Sequence, residues 1–250
     1  MSGPSFYKNV VPLDRDRHRH LKLRMEGRAE FAAKTHFVPL AAIELYEAAR
    51  DYPIVFTGDD NAVPVAVLGL RAGENLFVGA DGRWALGTYV PMFVRRYPFI
   101  LSRTTPESTD YAVCIDESWE GLSDSEGTPL FDQEGKETEL VAQAVSFLQG
   151  VLTENERTRR FVERLKQLEL LTVQSMQVRD AVGRTYALRD FRIVDENKLK
   201  ALENDVIVDL HRSGYLGCIY AHLVSLGNAS RLALRVPADE AGEAAAAGNG

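Results

Sequence analysis

The chain has 250 residues, of which 45% are hydrophobic and 26% are charged, a balance typical of soluble globular proteins. This composition excludes a collagen-like chain, a disordered tail protein and a small scaffold held together by disulfides. The formal net charge of −7 at pH 7 disfavours duplex DNA or RNA as the main partner, because phosphate binding needs a basic face. We therefore expect no nucleic-acid partner.

Charge is unevenly distributed, and the N-terminal segment 1–36 is basic. It carries eight Lys and Arg against four Asp and Glu, whereas residues 106–139 carry eleven acidic residues and one basic residue. The two segments either meet, within one chain or between two chains, or remain separate solvated loops, since exposed ion pairs add little stability.

The first twenty residues lack the apolar stretch of about 7–15 residues that a secretory signal needs. No window of the sequence approaches the roughly 18 apolar residues of a membrane-spanning helix. We therefore expect a cytoplasmic protein that does not insert into a membrane.

Residues 37–135 are predicted to form a strand-rich half. An amphipathic pattern over residues 37–50, with a proline in its first turn, predicts a helix. Short apolar runs separated by turn residues then predict an antiparallel meander that packs on this helix. The predicted strands of this half are residues 54–57, 63–70, 75–78 and 112–116, the last followed by an acidic loop over 117–137.

Residues 136–236 are predicted to form a helix-rich half. Periodic apolar positions predict a helix over residues 138–149 that ends at Gly150. Thr153 has the spacing to a later glutamate that opens a second helix, which continues to about Leu170.

A β-hairpin interrupts the helices of this half. Alternating runs over residues 171–179 and 184–194 flank a turn, and a helical region follows over 206–226. The fold class is therefore α+β, and the tail 237–250 is predicted to be disordered. No flexible linker separates the two halves, so the sequence leaves open whether they share one core.

Common catalytic motifs are missing from the sequence. It has no GxxxxGK[ST] phosphate loop, no GxGxxG turn after a strand, no GxSxG elbow and no HExxH helix. His18 and His20 have the spacing of two ligands on one strand face, but the neighbouring arginines oppose a cation. We predict neither a metal nor a cofactor.

Three residues are weak candidates for acid–base catalysis: His20, His222 and Asp116. Histidine is the natural general base near neutral pH. His222 lies in an apolar run, where a hydrogen-bonded core histidine is the alternative. Asp116 ends a predicted strand, where pairing with arginines is the alternative.

The densest aromatic stretch contains two adjacent arginines and is the predicted ligand-binding region. Its candidates are Trp84, Tyr89, Arg95, Arg96 and Tyr97. Aromatic faces stack on apolar groups, and guanidinium groups bind carboxylates, so the stretch suits an anionic or aromatic ligand. Alternatively, the aromatic side chains cap the sheet and the arginines pair with the acidic loop.

Several short motifs, in one order along residues 6–236, resemble the SapC family. They are residues 35–40 (THFVPL), 52–56 (YPIVF), 75–78 (NLFV), Trp84, 89–91 (YVP), 96–99 (RYPF), 127–131 (GTPLF), 191–199 and 214–226. The resemblance implies a cytoplasmic accessory protein beside an enzyme that modifies peptides or aromatic metabolites, such as a halogenase-like or dioxygenase-like partner. It supplies no established catalytic residues.

Three functions are therefore open. The first is an accessory or binding protein in which Arg95 and Arg96 hold a carboxylate and the helical half binds a protein partner. The second is an enzyme of unrecognised type with a His/Asp acid–base pair. The third, implied by the surface-layer association of the family, is a role in surface-layer assembly or export. A homodimer is possible under each of these three functions.

Overall fold

The computed structural model describes residues 6–24, 27–58, 61–105, 108 and 110–237. Its strands are β1 (Val10–Pro12), β2 (Lys22–Leu23), β3 (Phe37–Pro39), β4 (Ile54–Thr57), β5 (Pro64–Val67), β6 (Phe99–Arg103), β7 (Tyr111–Asp116), β8 (Leu122–Ser123), β9 (Thr128–Pro129), β10 (Leu171–Arg179) and β11 (Thr185–Val194). Its helices are α1 (Arg15–His18), α2 (Leu45–Ala48), α3 (Met92–Arg95), α4 (Glu139–Gln167), α5 (Glu196–Lys200), α6 (Asn204–Arg212), α7 (Tyr215–Ser225) and α8 (Asn228–Ala233). The α+β class, with strands concentrated in the first half and helices in the second, is confirmed.

The largest sheet has five antiparallel strands in the order β10-β11-β4-β5-β3. It is built from both halves, because the hairpin β10–β11 joins β4 through Phe191 and Arg192. The order is not that of a simple meander, since β3 pairs with β5 rather than with β4. Residues 75–78 were predicted to be a strand and are instead a turn, tied to the following segment by one bridge between Val78 and Trp84.

The helix predicted over residues 37–50 forms only over residues 42–48. Its first residues form β3, whose Val38 pairs with Ala66, and the backbone N–H of Leu40 still donates to Pro64 in the neighbouring strand. Helical structure begins only after Ala41, whose N–H donates to the carboxylate of Glu44. Strand pairing around the buried Val38 therefore overrides the helical periodicity at residues 37–39.

The basic N-terminal segment and the acidic loop meet within one chain. Strand β1 pairs with β7, and β2 lies between β8 and β9 in a small three-stranded sheet. Ion pairs follow the same contact: Arg17 lies 2.6 Å from Glu117, and Arg24 lies 3.8 Å from Glu126. Backbone pairing fixes this contact, because such exposed ion pairs contribute at most about 1 kcal/mol each.

A single helix, α4, replaces the two that the sequence predicted on either side of Gly150. Gly150 lies inside α4, and Thr153 donates its hydroxyl to the Gln149 carbonyl instead of capping a new helix. A glycine inside a helix weakens it but does not end it unless the chain turns left-handed there. The 29 residues span about 43 Å, and α4 buries Leu148 in a smaller core and Phe161 in the main core.

The predicted β-hairpin is present, and it contains an irregularity next to Gly58. The register shifts between Gln174 and Met176, and Asp190 on the opposite strand has φ of 58°, in the left-handed region. A side chain at Gly58 would place its Cβ 2.2 Å from the carbonyl oxygen of Asp190. The backbone position of Asp190 at this irregularity therefore requires a residue without a side chain at position 58.

We expect Gly58→Ala to destabilise the protein by roughly 2 kcal/mol or more, because the new methyl group overlaps backbone that cannot easily move. Gly150→Ala is the matched control, since a Cβ there meets no atom within 4 Å. It should stabilise α4 by about 1 kcal/mol. Urea denaturation measures both, and a Gly58→Ala variant as stable as the wild type would contradict the packing argument.

Candidate functional site

His222 is a core residue. Its side chain is fully buried on α7, its Nε2 accepts the N–H of Val194 (3.1 Å), and its Nδ1 donates to the carbonyl of Ile54 (2.9 Å). Its ring contacts Phe56 edge-on. Burial lowers the pKa of His222 to about 4. Both ring nitrogens are therefore used to join α7 to the main sheet.

Asp116 is also fully buried, and its carboxylate is saturated with donors. It accepts the backbone N–H groups of Lys8 (2.8 Å) and Asn9 (3.0 Å) from the N-terminal segment. It accepts both the N–H and the hydroxyl of Ser118, and the hydroxyl of Tyr97 lies 3.3 Å away. Burial opposes ionisation of Asp116, but the hydrogen bonds from Ser118, Lys8 and Asn9 outweigh it and lower its pKa.

The third candidate, His20, lies on the surface, with a side chain 64% exposed and its Nε2 3.6 Å from Asp124. The three acid–base candidates therefore lie in different environments. None of them lines either of the two cavities described next.

The five predicted ligand residues do not line one cavity. Trp84 packs beside the main core, stacked with Phe77, and its indole N–H donates to the hydroxyl of Tyr52. Tyr52 in turn donates to the backbone carbonyl of Tyr89. Through these hydrogen bonds, Trp84 helps to hold the loop that leads to α3.

Tyr89 and Arg95 do lie together, around a buried glutamate that the sequence analysis did not single out. The Tyr89 hydroxyl donates to Glu44 (2.9 Å), and Arg95 donates to the same hydroxyl (3.2 Å). Glu44 also accepts the N–H of Met92 at the start of α3 (2.7 Å). Burial raises the pKa of Glu44 and raises that of Tyr89 to about 12. This group anchors α3 to the segment before α2.

Arg96 lines the larger cavity, a cleft of about 510 Å³ along α4 that we call the α4 cleft. Its guanidinium lies over the ring of Phe93, 4.1 Å from the centroid, and its buried Nε has no hydrogen-bond partner among the described residues. The rest of the wall is mostly apolar and includes Val63 and Val162.

Tyr97 lines the second cavity, which we call the aromatic recess. It has a volume of about 360 Å³, and Phe6, Phe31, Tyr97, Trp119, Lys8, Arg24, Arg28, Glu30, Ser118, Glu120 and Gly121 line it. Tyr97 stacks on Phe31 with 4.0 Å between ring centroids and meets Trp119 edge-on. Burial next to Asp116 raises the pKa of Tyr97, so its hydroxyl stays protonated at physiological pH.

Trp119 is held in the aromatic recess by Gly121. A Cβ at Gly121 would lie 2.4–2.6 Å from three atoms of the indole, so the ring occupies the space that a side chain would fill. The indole N–H of Trp119 has no acceptor in the part of the chain that the structure describes. The same holds for the ammonium of Lys8 and for the buried Nε of Arg24.

Three of the residues that form the aromatic recess were missed as site residues. Trp119 comes from the acidic loop, and Lys8 and Arg24 come from the basic segment. Only the pairing of these two segments brings them beside Tyr97. Two features of the sequence could have indicated this recess: the opposite charges of the two segments, and a tryptophan two residues before a glycine.

We expect Asp116→Asn to cost roughly 2–3 kcal/mol of unfolding free energy, because the amide cannot accept the donors that the carboxylate accepts. The difference should begin to shrink as the pH falls below about 4, the ordinary pKa of an aspartate, and should vanish only below the lowered pKa that Asp116 has in the fold. Urea denaturation across pH 3–7 tests this. Asp124→Asn, an exposed control, should change stability by less than about 0.5 kcal/mol.

We expect His222 to make the wild type less stable in mild acid. The folded state holds the imidazole neutral, whereas the unfolded state gains a proton below about pH 6.5. Stability is therefore complete above that pH and falls by roughly 2 kcal/mol between pH 7 and pH 5. In His222→Gln this slope should be absent. Equal slopes in both proteins would show that another group controls it.

The chain was compared with known families, curated proteins and solved structures. No curated protein and no solved structure matches it. No described helix is long and apolar enough to cross a membrane. The family model for SapC matches residues 13–232, which is most of the chain. The chain therefore belongs to the SapC family.

Proposed function

We propose that this chain is an accessory binding protein that holds an anionic aromatic ligand in the aromatic recess. The observation that carries the proposal is a set of N–H donors without acceptors beside aromatic walls: Lys8 Nζ, Arg24 Nε and Trp119 Nε1. Of these three donors, the Arg24 Nε is buried, whereas Lys8 is exposed and Trp119 is half-buried. A buried donor left unsatisfied costs about 1–3 kcal/mol, which a ligand acceptor at Arg24 would recover.

The charges around the recess favour an anion. Arg28 lies 3.3 Å from Glu30, and Arg24 donates one terminal nitrogen to the carbonyl of Glu120. These contacts leave the Lys8 ammonium and the Arg24 Nε available to a carboxylate. Hydrogen bonds to a charged acceptor contribute about 1.5–3 kcal/mol each, roughly twice those to a neutral one.

The walls and the size of the recess favour an aromatic group. Phe31, Tyr97 and Trp119 offer ring faces and edges, and such contacts add about 0.5–1.5 kcal/mol beyond the area that they bury. A cavity of about 360 Å³ is at the small end of the range for ligand pockets. It suits one or two rings with a carboxylate, such as an aromatic acid or an aromatic residue at a peptide C-terminus.

The hydrogen bonds of the acid–base candidates Asp116 and His222 support a binding role. Asp116 and His222 are both occupied by backbone donors and acceptors, and this supports binding over a His/Asp enzyme. The proposed partner is an enzyme that modifies peptides or aromatic metabolites, halogenase-like or dioxygenase-like, as the family resemblance implies. A cytoplasmic location, a homodimer and a role in surface-layer assembly stay predictions.

Intrinsic fluorescence gives a direct test, because Trp84 and Trp119 are the two tryptophans of the chain. In a Trp84→Phe background, titration with phenylacetate should change Trp119 emission saturably. Neutral phenylacetamide and non-aromatic cyclohexylacetate should each bind at least about tenfold more weakly, through loss of the charge or of the ring contacts.

Matched variants locate the site. Lys8→Gln with Arg24→Gln should weaken phenylacetate binding by about tenfold or more, whereas the exposed control Arg212→Gln should leave it unchanged. If Arg95→Gln with Arg96→Gln abolishes binding and the Lys8/Arg24 pair does not, the anion lies where the sequence pattern placed it. That result would overturn the assignment to the aromatic recess.

A further inference from the structure

Helix α7 is apolar on all sides, yet only one side is covered. Its eleven residues, YLGCIYAHLVS, include no Asp, Glu, Lys or Arg. Cys218, Ile219 and His222 face the core, whereas Tyr220 is 48% exposed and Val224 is 75% exposed. A helix that is apolar all round is normally buried all round. The exposed outer side of α7 therefore has the apolar composition of a helix face that is normally buried.

The outer side of α7 forms one wall of a groove, which we call the α7 groove. It has a volume of about 640 Å³ and is lined by Tyr46, Gly217, Tyr220, Val224, Arg50 and Arg231. The three α7 residues follow the spacing i, i+3, i+7, so they share one face over two turns. Tyr46 crosses close to Gly217, where a Cβ would collide with its hydroxyl.

The charges of the α7 groove are all of one sign. No acidic side chain lines it, and its two cations are Arg50 and Arg231. Arg50 pairs with Glu47 at 3.0 Å on the open surface, where both side chains are more than half exposed. Arg231 has no ion-pair partner within the described ranges of the chain. An occupant that complements the groove is therefore apolar on one face and acidic beside it.

We infer that the α7 groove docks an acidic amphipathic helix of a partner protein. The occupant's apolar positions lie on Tyr220 and Val224, and its carboxylates meet Arg50 and Arg231. A second copy bound through the same face would bring these arginines toward each other, which like-charge repulsion opposes. The inference is independent of the aromatic recess, since the two share no lining residue.

The test uses two synthetic helical peptides of about 18 residues, or five turns, on the full-length protein. They share one apolar face of leucines and differ only in the polar face, which is Glu-rich in one and Lys-rich in the other. Fluorescence anisotropy should show saturable binding of the Glu-rich peptide, at least about tenfold tighter than the Lys-rich one. The preference should shrink as salt is raised, because exposed charges are screened.

Variants keep the test specific to the α7 groove. Val224→Glu and Arg231→Glu should each weaken the Glu-rich peptide by about tenfold, which corresponds to about 1.4 kcal/mol. Val208→Glu is the control, since Val208 is a helical valine, 44% exposed, on α6 outside the groove. Thermal melts confirm that all three variants fold.

Four results would overturn the inference. They are absence of saturable binding, equal affinity for both peptides, equal effects of Val224→Glu and Val208→Glu, and self-association that Val224→Glu abolishes in sedimentation experiments. The last would identify a second copy as the occupant. Neutralising Asp239, Glu240 and Glu243 in the full chain tests the remaining occupant, the acidic tail. Tighter peptide binding by that variant would assign the groove to the tail.

Discussion

The buried carboxylate of Asp116 connects the parts that form the aromatic recess. It holds the N-terminal segment through two backbone N–H groups, the turn before Trp119 through Ser118, and the aromatic wall through Tyr97. A carboxylate is suited to this task because it offers several acceptor sites in a small volume. Its buried charge is tolerated because those donors surround it.

A second constraint comes from the five-stranded sheet, which contains strands of both halves of the sequence, and from α4, which packs in both hydrophobic cores. Strand β11 adds the C-terminal hairpin to β4, and α4 reaches from the smaller core to the main core. His222 closes the same structure from the other side by joining α7 to Ile54 and Val194. The inner side of α7 is thereby fixed, and its outer side, with Tyr220 and Val224, stays exposed.

The sequence pattern predicted those elements whose structure depends on residues close to one another in the chain. The β10–β11 hairpin was predicted because alternation and turn residues agree there, whereas residues 37–39 were misassigned as helix because β3 needs pairing with distant β5. At the site, Tyr97 was predicted as a ligand residue and lines a cavity, but Trp119 was not singled out. Its position depends on Asp116 and Gly121, and neither contact has a periodic signature in sequence.

The way in which polar groups are satisfied separates structural residues from binding residues in this chain. His222 and Asp116, the most buried of the titratable candidates, have their hydrogen-bonding capacity filled by backbone. Donors without an acceptor among the described residues belong instead to Lys8, Arg24 and Trp119 at the aromatic recess and to Arg96 at the α4 cleft. A catalytic acid or base must be able to exchange a proton with the substrate. A binding site instead needs hydrogen-bond donors that a ligand can pair with. In the proposed function, the unfilled donors of the aromatic recess take part in recognition, while His222 and Asp116 hold the fold together.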